Sequence, residues 1–111
     1  MSQKSSLTAL ARQQLEMAVA ASSGRSAATV FGGHEHSLRQ TVIALAAGHG
    51  LAEHGSPGEA TLQVLSGRVR MTAGEDAWEG SSGDLLIIPD SRHGLDAVED
   101  SVVLLTVCKV R

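Results

Sequence analysis

The sequence predicts an all-β domain preceded by one short helix. A helical repeat of apolar residues is confined to the first 24 positions, and from Ser26 onward apolar residues recur at every second position in short runs. Glycine-bearing turns separate these runs, for example at Gly32 and Gly33, at Gly67 and at Gly74. Short strands joined by such turns indicate a β-sandwich or a β-barrel, and the periodicity alone does not choose between the two.

The helix is predicted between two sequence signals. Ser5 and Ser6 can cap its start, apolar residues follow at helical spacing, and Gly24 is the predicted stop. Its apolar face is rich in alanine and shallow, which is typical of a helix that packs on a barrel or on a second subunit. We therefore divide the chain into an N-terminal helical segment, residues 1–24, and a barrel domain, residues 25–111.

The predicted strands differ in how many of their faces are apolar. Residues 68–73 alternate most clearly between apolar and polar side chains. Because the apolar neighbours in each strand are expected to face the core, the polar side chains are assigned to an outer sheet face. These are Arg39, Arg68, Arg70 and Gln63. Two strands are apolar on both faces, so another layer must cover each side of them. Cys108 lies in the last of these strands and is therefore predicted to be buried and unreactive. The predicted strands are residues 26–31, 38–46, 61–66, 68–73, 77–79, 85–88 and 102–110.

Composition argues against several classes of function. The 111 residues suffice for one hydrophobic core, and the net charge is −3 with no cluster of Lys or Arg. With Phe31, Trp78 and no tyrosine, the chain lacks both the basic footprint and the stacking platforms of nucleic-acid binders. No apolar run approaches the roughly 20 residues that cross a bilayer. With one cysteine and no signal-peptide pattern, we expect a cytoplasmic protein without nucleic-acid or membrane partners.

Two glycine-bounded segments each carry a histidine near a turn. Residues 48–67 read G-H-G-L-A-E-H-G-S-P-G-E-A-T-L-Q-V-L-S-G, and residues 83–93 read G-D-L-L-I-I-P-D-S-R-H. They resemble the two motifs of the cupin superfamily, G-x5-H-x-H-x3 or 4-E-x6-G and G-x5-P-x-G-x2-H-x3-N. The shared positions are Gly48, His54, Gly67, Gly83 and Pro89. The resemblance spans residues 38–110 and implies a single cupin jelly-roll β-barrel of the small conserved-barrel (cupin 2) type, behind the N-terminal α-helix.

The same resemblance implies candidate metal ligands. Metal-binding cupins use two histidines and a glutamate from the first motif and one histidine from the second, a donor set that suits divalent transition metals. Carried over by position, His54 takes the first histidine's place, Ser56 the second's and Ala60 the glutamate's. His93 stands one residue early in the second motif. The resemblance thus implies a degenerate site of His54 and His93, with zinc, iron, nickel or manganese as the expected cofactor.

A second alignment of the first motif stays open. It makes His54 the second histidine and Glu59 the glutamate, but it needs Ala52 in the first histidine position. It also leaves one extra residue before Gly67, which a β-bulge near Gly58 could absorb.

Further polar side chains could complete the pocket. Ser56, Glu59 and His49 are the additional candidate pocket or ligand positions. His34 and His36 fit a surface turn better than a metal site, because nothing but their spacing relates them. We assign no catalytic residue and no organic cofactor.

Three hypotheses of function remain. The first is a small-molecule pocket at the barrel mouth, with or without a divalent metal at His54 and His93. The second is a metal-dependent enzyme of the dioxygenase or isomerase type known among cupins, and the third is a non-catalytic structural or regulatory dimer. Three or more converging ligands would favour chemistry, and two would favour binding or a purely structural role.

A homodimer is expected on physical grounds. Ile43, Leu45 and Leu65 are interpreted as outer apolar positions, and one domain of this size cannot cover them all.

Overall fold

The computed structural model describes residues 3–55 and 58–109, apart from the side chain of His54. Within this part of the chain, one helix is followed by antiparallel strands. The elements are α1 (Leu7–Ala20), β1 (Arg25–Phe31), β2 (Leu38–Leu45), β3 (Gly50–His54), β4 (Gly58–Ser66), β5 (Arg68–Ala73), β6 (Asp76–Ser81), β7 (Leu85–Ile87), β8 (His93–Ala97) and β9 (Ser101–Lys109).

The strands form two sheets that enclose the main core. The larger sheet has the order β1-β2-β9-β4-β7 and the smaller one the order β3-β8-β5-β6. Apolar side chains from both sheets meet between them. These interior side chains are Ile43, Leu45, Ala60, Leu62, Val64, Val69, Met71, Leu86, Ile88, Leu95, Ala97, Val103 and Val107. The predicted all-β jelly-roll class with an N-terminal helix is confirmed.

Helix α1 covers the outer face of the larger sheet. The Ser6 hydroxyl caps the helix by accepting a hydrogen bond from the Ala9 N–H at 3.1 Å. Ala18 is fully buried against Val42 and Val102, and the Ser26 hydroxyl donates to the side-chain oxygen of Gln14. The helix therefore packs on its own barrel, and β2 and β9 are apolar on both faces because each face has a covering layer.

Two of the three residues that suggested a dimer surface do not lie on the outer face of their sheet. Ile43 and Leu45 face the interior core, while their neighbours Val42 and Ala44 lie under α1. Leu65 packs against the same helix-covered cluster. The prediction that Ile43 and Leu45 are outer positions was wrong, because alternation separates the two faces of a strand without saying which layer covers which.

Two further side-chain assignments are also corrected. Cys108 is exposed, because the outer face of β9 emerges from under α1 before the strand ends. Arg39 faces the interior side of its sheet, since its Cα partner on β9 is Val107, a core residue. Arg68 and Arg70 do lie exposed on an outer face, as predicted.

The barrel has two distinct ends, which we call the closed end and the mouth. At the closed end, Leu45 pairs with Ser101 and Ser66 with Val102. At the mouth, Gly58 pairs with Lys109, and the β1–β2, β3–β4, β5–β6 and β7–β8 connections meet around this end of the strands. No helix within the described ranges is long and apolar enough to cross a membrane.

Candidate functional site

Strands β3 and β8 bring positions 54 and 93 together at the mouth. Leu51 pairs with Leu95 and His54 with His93, so three residues on β3 span the same length as two on β8. This irregularity is a β-bulge, and it places position 54 rather than position 53 opposite His93. The backbones of the two predicted histidines are thus direct neighbours, while the His54 side chain lies outside the described part of the structure.

The imidazole of His93 is buried and its orientation is fixed. The residue is 4% exposed, and Nδ1 lies 2.8 Å from the carbonyl oxygen of Ser91. A carbonyl can only accept, so Nδ1–H is the donor, and in the neutral ring the lone pair is on Nε2. Metal-binding histidines commonly hold their second nitrogen in this way, as do buried histidines with a purely structural role.

His93 lines a small cavity inside the barrel. The cavity has a volume of about 40 Å³. Its other lining side chains are all apolar and come from both sheets: Ile43, Leu51, Leu62, Met71, Ile88, Leu95 and Leu105. Because this volume is far below the roughly 300–1,000 Å³ of typical small-molecule pockets, a ligand would have to lie mainly at the mouth above it.

Strand β4 contributes no carboxylate to this cavity. Ala60 faces the interior and is 7% exposed, whereas Glu59 is exposed and pairs with Cys108 on the outer face. The geometry therefore agrees with the alignment that puts Ala60 in the glutamate position. The strand pairs of this region have register shifts in β3, between Leu51 and His54, and in β4, between Val64 and Ser66; the β4 shift lies before Gly67 but not near Gly58, where the second alignment puts its bulge.

The remaining candidate residues are not gathered around His93. His49 lies in the β2–β3 turn at the closed end, where its ring covers Gly24 so closely that a Cβ there would be 2.2 Å from the His49 ring carbon Cγ. Ser56 falls outside the described residues. The β1–β2 loop holds His34 and His36 at the mouth, where the ring of His36 packs on Phe31 with centroids 4.7 Å apart.

An ion pair that sequence reasoning missed connects the residues preceding the two histidines. The Nε of Arg92 lies 3.1 Å from a Glu53 carboxylate oxygen, and Nη2 donates to the Glu53 backbone carbonyl at 3.2 Å. Glu53 lies in the bulged segment and Arg92 immediately precedes β8, so this contact links the two strands beside the His54–His93 pair. The spacing of Glu53 and Arg92 in the sequence gives no signal of it.

The side chains present fit at most a sparse metal site. Among residues 3–55 and 58–109, with the His54 side chain excepted, no three His, Cys, Asp or Glu side chains are grouped closely enough to hold an ion. The described donor is the His93 imidazole, and the paired position on the neighbouring strand is His54. One described imidazole is not the full ligand set of the motif.

Comparison with solved structures places this geometry in a known superfamily. No protein-family model and no curated protein sequence matches the chain. A conserved protein of unknown function from Streptococcus pyogenes, SPY1581, is 28% identical, with a TM-score of 0.73 over 82% of this chain and 79% of that one. An RmlC-like cupin from Desulfovibrio desulfuricans is 25% identical, with a TM-score of 0.66 over 76% and 81%.

A third structure, of a cupin superfamily protein from Desulfitobacterium hafniense, is 14% identical, with a TM-score of 0.71 over 78% of each chain. At that identity it supports the fold alone. Two sheets in jelly-roll order, the two glycine-bounded motifs and these likenesses agree, and the chain belongs to the cupin superfamily.

Proposed function

We propose that this cupin binds a small molecule at the barrel mouth, with His93 and His54 as the polar groups at the base of the site. The observation that carries the proposal is the placement of His93, a buried imidazole on the wall of an otherwise apolar cavity. Small-molecule sites have this character, with few polar groups of fixed orientation among apolar side chains. The Ser91 carbonyl fixes the ring of His93, and the β3 bulge places His54 opposite it.

The same two histidines are the proposed ligands of a divalent transition metal. A bound ion would act as a Lewis acid that polarises an oxygen of the ligand. Two protein ligands leave the other coordination positions to water or to the small molecule, so we expect weaker binding than in a site with three or four protein ligands.

Binding is proposed in preference to metal-dependent catalysis because of the donor set. The dioxygenase or isomerase alternative needs three or more converging ligands, and β4 presents Ala60 inward where the motif has a glutamate. The cytoplasmic location and the homodimer remain predictions. The homodimer now lacks Ile43 and Leu45 as its physical reason, since both side chains are interior.

The metal part of the proposal is tested by elemental analysis. Protein incubated with zinc, iron, nickel or manganese and then desalted would be compared as wild type, His54→Ala, His93→Ala and His49→Ala. The last variant is the matched control, because His49 is at the closed end. We expect uptake by the wild type and the control and its loss in the other two variants. Equal uptake by all four proteins would contradict the assignment.

The small-molecule part has its own test. A library of small polar fragments would be titrated into ¹⁵N-labelled protein while the amide signals are followed. We expect the largest shifts at His93, Leu95 and Leu105, and their loss in His93→Ala. Shifts confined to the groove between α1 and β4, which is lined by Leu7, Ala11 and Leu65, would place the binding site elsewhere.

A further inference from the structure

Two cationic side chains lie on the interior face of the larger sheet at the mouth. Arg39 on β2 pairs with Val107 on β9, and Val107 belongs to the interior core. Lys109 is two residues beyond Val107 on the same strand, so it lies on the same face. Sequence alternation alone had assigned Arg39 to the outside, and the strand register reverses that assignment.

The strand register also makes Arg39 and Lys109 neighbours. Lys109 lies opposite Ser37, whose carbonyl accepts the Lys109 backbone N–H at 2.8 Å, so Arg39 and Lys109 are diagonal partners across the β2–β9 ladder. Diagonal partners have Cα atoms about 7–8 Å apart, within reach of long side chains. The guanidinium of Arg39 and the ammonium of Lys109 can therefore contact the same small ligand.

Neither cation has an acidic partner among the described residues. The arginines on or beside the smaller sheet have acidic partners: Arg68 and Arg70 share Glu79, at 3.2 and 3.7 Å, and Arg92 lies 3.1 Å from Glu53. Within residues 3–55 and 58–109, no ion pair includes Arg39 or Lys109. Lys109 donates one hydrogen bond, from Nζ to the Gly33 carbonyl at 3.2 Å, and this acceptor is neutral.

The β1–β2 loop contacts both cationic side chains. Gly33 accepts from the Lys109 Nζ, and a Cβ at Gly32 would lie in ordinary van der Waals contact with Arg39 Cγ, at 3.4 Å. Both glycines have positive φ, +149° at Gly32 and +139° at Gly33, which other residues rarely adopt. The loop therefore contacts the stem of Arg39 and the ammonium of Lys109 at the rim of the mouth.

We propose that Arg39 and Lys109 form an oxyanion subsite, so that the ligand of this barrel is a small organic acid. This inference rests on the proposed function, because it places the rest of the ligand toward the cavity beside His93. Ile43 and Leu105 line that cavity. Ile43 lies four residues after Arg39 on β2, and Leu105 lies four residues before Lys109 on β9. Each is on the same face of its strand as the cation, at a distance along the strand of about 13 Å. A planar guanidinium beside an ammonium suits carboxylate or phosphate oxygens, which are the shared chemistry of the ligand.

The test uses three probes that differ in charge and acid type. Adipate, its neutral diamide and glycerol 3-phosphate would be titrated by calorimetry into the wild type, Arg39→Gln, Lys109→Gln and Arg25→Gln. Arg25 is the matched control, because it is an exposed arginine on the same sheet at the closed end and its replacement removes the same charge. Thermal melting of each variant verifies that it is folded.

We expect at least one acid to bind the wild type and the diamide not to bind. Each mouth variant should weaken the acid about tenfold or more, as expected for the loss of one charge-assisted hydrogen bond, and Arg25→Gln should stay within about twofold. Binding of adipate alone would assign a carboxylate, and binding of glycerol 3-phosphate alone a phosphate. Failure of both acids to bind the wild type, equal binding of the diamide, or equal losses in Arg25→Gln and the mouth variants would overturn the inference.

One more variant separates this inference from the proposed function. If His93→Ala binds the acid normally while Arg39→Gln does not, the oxyanion subsite holds and the pocket at His93 is wrong. If His93→Ala loses binding while Arg39→Gln and Lys109→Gln keep it, the proposed pocket at His93 is supported and the proposed oxyanion subsite is wrong.

Discussion

The two ends of the barrel are built from different kinds of interaction. At the closed end, polar groups are satisfied within the protein: the fully buried Ser101 hydroxyl accepts from the Arg68 N–H at 3.0 Å, and Asp100 accepts from the Ala47 N–H at 2.8 Å. At the mouth, His93 borders a cavity, and the described partners of Arg39 include no carboxylate. The closed end thus carries structural hydrogen bonds, and the mouth presents groups able to contact a ligand.

This difference predicts a separation of effects. Substitutions at the closed end should lower the free energy of unfolding and leave ligand or metal affinity unchanged in the protein that remains folded. Substitutions of the mouth residues His93 and Arg92 should lower ligand or metal affinity, with a smaller loss in the free energy of unfolding than Gly67→Ala causes. Substitutions at Gly67, Ser101, His93 and Arg92 test that separation.

The largest effect on stability is expected at Gly67. Its φ is +87°, and a Cβ there would lie 2.3 Å from the backbone carbonyl oxygen of Asp100, which cannot move without disturbing the β8–β9 turn. We expect Gly67→Ala to lower the free energy of unfolding by about 2–4 kcal/mol. Urea denaturation measures the change.

Gly74 provides the matched control for this substitution. It is a turn glycine at the mouth with φ +59°, and a Cβ there would have no described heavy atom within 4 Å beyond its chain neighbours, so Gly74→Ala adds backbone strain without a clash. Its expected loss is about 1 kcal/mol. Equal losses at Gly67 and Gly74 would contradict the structural contrast between the two ends.

The next largest effect is expected at Ser101. Its hydroxyl accepts from the Arg68 N–H and lies 2.7 Å from the Glu99 carbonyl, so Ser101→Ala leaves a partly buried backbone donor without this acceptor. We expect a loss of about 1–3 kcal/mol in urea denaturation, with metal uptake per folded molecule unchanged. Reduced uptake by the folded variant would show that the two ends are coupled.

At the mouth, His93→Ala should affect binding more than it affects stability. The substitution enlarges the cavity and removes the ring that donates to Ser91, so stability should fall by about 1–2 kcal/mol. Metal uptake and fragment binding should be lost altogether. A variant that retains both would show that His93 is a structural histidine only.

The smallest effect on stability is expected at Arg92. Its pair with Glu53 is exposed on both sides, so Arg92→Gln should change the free energy of unfolding by less than about 1 kcal/mol. Because this pair links β3 to β8 beside the histidines, we expect metal affinity to fall several-fold. Arg70→Gln, at another exposed Arg–Glu pair but on an outer face, is the control and should leave the affinity unchanged.

The sequence predicted the larger sheet better than the strands that carry the site. Short runs of apolar residues between glycine-bearing turns indicated β1, β2, β4, β7 and β9, because most of these strands are long or strongly apolar. Strands β3 and β8 escaped prediction: β3 reads G-L-A-E-H and β8 reads H-G-L-D-A, and glycine and acidic residues interrupt any apolar run. The motif resemblance identified the two histidines, and it was the strand pairing that showed them to be neighbours.

Side-chain direction was the hardest property to predict. Along β2 both faces are apolar, so the pattern could not say that Ile43 points inward and Val42 lies under α1. The same ambiguity led to the wrong face being predicted for Arg39, whose direction follows from its pairing with Val107. The bulge before His54 inserts one residue into β3. Its position could not be predicted from the sequence, because Leu51–His54 contains no glycine or proline.

The most direct test of the mouth as the functional site is a long-range ¹H–¹⁵N spectrum of the histidine rings, recorded before and after adding zinc. The structure predicts that His93 is the Nδ1–H tautomer, because Nδ1 donates to the Ser91 carbonyl. Zinc should then shift the ring nitrogens of His93 and His54 and leave those of His49 unchanged. An Nε2–H tautomer for His93, or zinc shifts at His49 with none at His93, would contradict this account.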